Sequence, residues 1–160
     1  MVTKGRPRIE WILLSYSIPR EPSTPRISVW RRLRRLGVAQ VTDGLVALPL
    51  DARNREQLEW IAEEALEHGG KAAIWIGVLA SGSDERRIVG DLAATIADEY
   101  RAIIRDTRAA RSLGSTPRRR TLARLRRELR RVRQRDYFPP PEKEQAAREV
   151  AELGLLVANP

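Results

Sequence analysis

Between Arg118 and Arg135 the chain carries ten arginines against a single acidic residue, Glu128. A guanidinium stays protonated throughout the physiological range, and its planar fork matches two oxygens of one phosphate. A shorter run, Arg26, Arg31, Arg32, Arg34 and Arg35, repeats that chemistry with no acidic residue between Pro22 and Gln40. The candidate nucleic-acid-binding residues are therefore Arg26, Arg31, Arg32, Arg34, Arg35, Arg118, Arg119, Arg120, Arg124, Arg127 and Arg131. On DNA, most of these would position the phosphate backbone and only one or two would read base edges. Two blander uses of the same charge stay open, a solvated helix face and pairing with carboxylates of this chain or of an acidic protein.

Other reactive groups are sparse. There is no cysteine, which removes disulfides, thiol nucleophiles and thiolate metal sites. The one histidine, His68, stands beside Gly69-Gly70 at the expected end of a helix, where a structural role outweighs a catalytic one. Asp84 and Glu85 suit the first turn of a helix, where carboxylates meet exposed amides, and Asp43 suits a turn. No metal-spaced cluster and no glycine-rich phosphate loop is present. The reading is a binding protein with no catalytic residue, cofactor or metal.

With 160 residues, 42% of them apolar, the chain can build a real core. Its net charge of +9 favours a nucleic acid or another acidic partner. No run of 18 apolar residues exists, so no membrane span is expected, and MVTKGRPRIEWILLSY reads as the approach to a strand rather than a signal peptide. The expected location is the cytoplasm.

These arginines need elements to carry them. Ile9 to Ser17, with Trp11, Ile12, Leu13 and Leu14, predicts a central strand. Ser23 or Thr24 caps a helix with Pro25 in its first turn, running to Leu36 with Ile27, Val29, Trp30, Leu33 and Leu36 inward and Gly37 as C-cap. A hairpin turning at Asp43-Gly44 follows, then a helix from about Asn54 to His68 with Leu58, Ile61, Ala62, Ala65 and Leu66 as its apolar face, then a strand from Lys71 to Ala80. This β-α-β-β-α-β order predicts an α+β, ferredoxin-like domain over 8–80. The four tryptophans are assigned to core packing, with Trp30 also a candidate for a contact surface. Over 83–153 the period turns helical: an antiparallel hairpin broken at Gly114-Ser115-Thr116-Pro117, then a short helix from Glu142 to Leu153 after Pro139-Pro140-Pro141.

The stretch WILLSYSIPREPSTPRISVWRRLRRLG resembles the amino-terminal region of ChrB-type chromate-resistance proteins, and LVALP, REQLEWIAEE and RDYFPPPE extend the likeness over nearly the whole chain. The resemblance implies a DNA-binding transcriptional regulator of a chromate-efflux operon, released by chromate or another oxyanion. Proteins of that type usually continue into a second domain, so a separately encoded sensing domain is an expected partner. More distantly, the β-α-β-β-α-β portion looks like the dimerising domain of PaaX-type repressors, which implies a homodimer, and like small ferredoxin-like CRISPR-associated nucleases. Those nucleases place an aspartate after an aromatic at the end of their first strand, where this chain has Ser17 in Tyr16-Ser17-Ile18-Pro19. A neutral hydroxyl is a poor ligand for a hard divalent ion. The alternatives to a regulator are a metal-dependent nuclease-like protein with a degenerate site and an interaction module for an acidic protein.

Overall fold

The structure, a computed structural model, describes residues 8–159. The amino-terminal residues 1–7, weighed above as part of a targeting segment, lie outside them. The chain divides into two compact units, one up to Val89 and one from Gly90 onward.

The first unit is built on β1 (Trp11–Ser17), α1 (Ser23–Leu36), β2 (Ala39–Thr42), β3 (Leu45–Pro49), α2 (Ala52–Glu67) and β4 (Lys71–Gly77). All pairings are antiparallel, and the sheet order β2-β3-β1-β4 is the ferredoxin-like arrangement that the element order predicts. The register Ile12↔Leu48 and Leu14↔Val46 puts four fully buried side chains on one face. Val29 and Leu33 of α1 and Leu58, Ile61, Ala62 and Ala65 of α2 complete that core. On the other face Trp11, Leu13, Val41 and Ala47 line a small apolar cavity of about 60 Å³ with Ile88, from the first turns of α3 (Gly82–Ala110). The backbone N–H of Ile9 donates to Glu85 there (3.1 Å).

Local details correct several expectations. Helix α1 starts at Ser23 itself, with Pro22 as N-cap and no side-chain cap bond. Gly37 is the C-cap in the left-handed region, φ 72°, its N–H returning to Arg34 O at 3.1 Å. In α2 the cap is Asp51, whose carboxylate accepts from Asn54 N at 2.6 Å, so the helix begins two residues before Asn54. Strand β4 ends at Gly77 rather than Ala80. The end of β1 is gripped by two close backbone approaches. Gly44, φ +73°, would put a Cβ 2.6 Å from Tyr16 O, and a Cβ on Gly70 would lie 2.1 Å from Ser17 O.

The second unit holds the rest of α3 with α4 (Ser115–Gln134) and α5 (Glu142–Ala158), the last running five residues beyond the expected Leu153. Tyr100, Ile103 and Ile104 of α3, Leu122, Leu125, Leu129 and Val132 of α4, and Ala146, Val150 and Leu153 of α5 share one core. Polar partners fix the directions. Asp106 meets Arg124, Glu99 meets Arg135 and Tyr100 meets Asp136, so α4 runs antiparallel to α3. Arg101 meets Glu142, Arg108 meets Glu149 and Arg111 meets Glu152 at a constant offset of 41, so α5 runs parallel to α3.

Candidate functional site

The arginines of α4 separate by helical arithmetic. At about 100° per residue, Leu122, Leu125, Leu129 and Val132 define the buried side. One exposed row, Arg120, Arg127 and Arg131, lies opposite, and a second, Arg119, Arg126, Arg130 and Arg133, flanks the buried side at roughly 60–120° from its centre. None of the seven forms an ion pair among the described residues. From Arg119 to Arg133 the rows extend about 21 Å along the axis, a guanidinium surface interrupted by Ala123.

Two of the expected residues on this helix serve the fold instead. Arg118 is half-buried and donates to the carbonyls of Arg111 (3.1 Å) and Leu113 (2.7 Å), holding the turn between α3 and α4. Arg124 bridges Glu128 (2.8 Å) and Asp106 (3.3 Å), and the Glu128 hydrogen bond, followed by the other carboxylate contacts, holds its guanidinium charge more firmly than usual. Conversely, Arg126, Arg130 and Arg133 lie on the exposed face although only their neighbours were named as site residues. Phase relative to the leucines does not mark them out, since Arg126 and Arg133 stand nearer that stripe than Arg124 does. Arg126 also lies against α5, where a Cβ on Gly154 would come 2.9 Å from its Nη2.

The arginines of α1 are in the other unit. Arg26, Arg31, Arg34 and Arg35 are exposed, with Arg34 stacked 4.9 Å above the Trp30 ring. Arg32 is half-buried and pairs with Glu64 of α2, which also accepts from Ser28 Oγ (2.9 Å). Ile27 and Trp30, expected inward, are 44% and 54% exposed, because the buried stripe of α1 is narrow and centres on Val29 and Leu33. Trp60 and Trp75 are also about half-exposed, leaving Trp11 as the core tryptophan.

Where β1 gives way to α1, Tyr16, Ile18, Ser23, Arg26, Ile27, Trp30, Arg31 and Gly44 line an open groove of about 470 Å³. Burial pushes the Tyr16 phenol above its ordinary range, keeping it a neutral donor. The lining offers two guanidiniums, a phenol and a seryl hydroxyl, and no carboxylate. Ser17 is exposed at the strand end opposite Lys71. Among the described residues no group of three or more His, Cys, Asp or Glu could hold a metal ion, and no helix is long and apolar enough to cross a membrane.

Residues 26–111 match the family model described as Protein ChrB, N-terminal. The chain belongs to that family. A curated member, Protein ChrB of Cupriavidus metallidurans, is 28% identical over 137 residues, covering 83% of this chain. The chain spans 42% of the length of that ChrB protein. No solved structure matches. The ChrB match begins within α1 and ends just after α3, so it contains the α1 arginines, and α4 follows it in sequence.

Proposed function

We propose that the chain is a DNA-binding regulatory protein of chromate resistance, acting without catalysis of its own. The observation that carries DNA binding is the α4 face, seven exposed arginines with no carboxylate partner among the described residues. Like-charged neighbours three or four residues apart repel by ~0.2–0.5 kcal/mol per pair. An arriving phosphate backbone removes that repulsion and releases its own counterions. Membership of the ChrB family, with the likeness of the WILLSYSIPREPSTPRISVWRRLRRLG block to chromate-resistance proteins, supports the regulatory role. Chromate, an oxyanion, would compete for the same guanidiniums or act through a sensing domain supplied separately. Phosphate contact is placed on α4 rather than α1, because α1 shares its layer with the glutamates of α2, which repel a polyanion.

The test is a salt titration of binding to duplex DNA from upstream of the chain's own operon, with scrambled DNA as comparison. Expected is a steep, linear fall of log K with log salt and tighter binding to the operon sequence near ~0.15 M salt. Immeasurably weak binding to both sequences at that ionic strength refutes the regulatory reading for this chain. An acidic-protein partner would then be the better account of the α4 face.

A further inference from the structure

Helices α1 and α2 lie side by side on one face of the sheet, tied at their seam by Arg32 and Ser28 to Glu64. Each follows a strand, β1 or β3, and these strands are antiparallel, so the helices are antiparallel too. Their outward faces carry opposite charge. Besides Arg26 of α1 and Arg53 and Arg55 in the first turn of α2, which are also exposed, the outward charges are Arg31, Arg34 and Arg35 on α1 and Glu56, Glu63 and Glu67 on α2. None of these six forms an ion pair among the described residues. Each helix also presents a half-exposed tryptophan, Trp30 at 54% and Trp60 at 48%.

We infer that this two-helix layer is a self-association surface whose partner is a second copy of the chain. A two-fold axis laid parallel to the helices, in the plane of their outer surface, places α1 of each copy on α2 of the other. The basic face then meets the acidic face twice, and Trp60, on the outward side of α2, supplies an aromatic anchor, while Trp30 stands on the flank of α1 that lines the groove with Tyr16 and Gly44. Other occupants fit only half of the layer. A polyanion is repelled by the α2 glutamates, and an acidic protein complements α1 alone. A second copy complements both halves at once. Helix α1, 14 residues long, extends about 21 Å, so two helices offer roughly 400–600 Å² per copy. That is the small end of specific interfaces and implies micromolar, salt-sensitive association. The inference is independent of DNA binding by α4, since the two faces are in different units.

Sedimentation velocity on the full chain tests it, with Arg31→Glu/Arg34→Glu/Arg35→Glu and Glu56→Lys/Glu63→Lys/Glu67→Lys as two charge-swapped variants. The first makes both helices acidic and the second makes both basic. The wild type should dimerise reversibly at ~10–100 μM, more weakly at higher salt. Each variant alone should stay monomeric, and an equimolar mixture should form the heterodimer. A monomeric wild type, variants that dimerise as the wild type does, or a mixture that does not pair overturns the inference. Should a triple variant lose its helical circular dichroism, Trp60→Gln on wild-type charges replaces it. That variant should weaken the dimer about tenfold or more, and an unchanged dissociation constant overturns the assignment.

Discussion

Replacing Arg120, Arg127 and Arg131 together by glutamine removes one full row from the α4 face while touching no core residue. If each contacts one phosphate of B-DNA, the slope of log K against log salt should fall in magnitude by about 2.7, at ~0.9 per contact. Extrapolated from ~1 M salt, where the counterion contribution vanishes, to ~0.15 M, each contact is worth about 0.7 decade. Three contacts then predict a loss of roughly 100–200-fold in affinity, nearly equal for operon and scrambled duplexes, because phosphate contacts carry no base information. Fluorescence anisotropy with labelled duplex across a range of potassium chloride concentrations reads slope and affinity together. Helical content should hold or rise slightly, because the Arg127–Arg131 repulsion at i,i+4 spacing is removed. The comparison variant is Arg124→Gln, whose guanidinium is already committed to Asp106 and Glu128 and which should change the slope far less. A triple variant that loses less than about fivefold, with its slope intact, refutes the assignment of this row to phosphate.

Two stability predictions rest on geometry elsewhere. Tyr100 is fully buried and donates to Asp136 Oδ2 at 2.8 Å, so Tyr100→Phe should cost about 1.5–3 kcal/mol in denaturant unfolding at neutral pH. Burial first, and then the Asp136 hydrogen bond, hold the Tyr100 phenol far above its ordinary range. Its contribution should therefore be complete below about pH 10, the unfolded value, and decline above it; a Tyr100→Phe protein that declines equally over that interval contradicts this origin. Gly44→Ala combines a left-handed backbone with a Cβ 2.6 Å from Tyr16 O, and should cost about 2 kcal/mol or more in the same assay, whereas a loss below ~0.5 kcal/mol would show that the turn relaxes freely.

The β-α-β-β-α-β order was legible because each element carries a local signal: Gly37 in the left-handed cap, Asp43-Gly44 at the hairpin, Gly69-Gly70 after α2. Tryptophan placement was not. Trp30, Trp60 and Trp75 lie in elements that also expose Ile27, Leu66 and Ile76, and composition cannot show which large apolar side chains point outward. The candidate site was legible as a charge excess but not as a surface. Arg32, Arg118 and Arg124 find their partners at Glu64, at two carbonyls of the turn after α3, and at Asp106, all set by tertiary folding or by a turn. What separates these three from exposed neighbours such as Arg31 or Arg127 is a carboxylate or carbonyl brought within reach by the fold, which the linear sequence does not display.

The uncompensated face of α4 has a practical side. If α4 contacts phosphate as proposed, a helix bearing seven exposed guanidiniums should behave in a cell extract as a small anion exchanger, loaded with whatever polyphosphate is most abundant. Protein prepared at low ionic strength should therefore carry nucleic acid through purification, visible as excess absorbance at ~260 nm, and release it in a high-salt wash. Oligomer size and DNA affinity are properties of the stripped chain. Measured on the loaded one, shared polyanions would bridge copies through α4 and imitate a dimer in which α1 and α2 take no part.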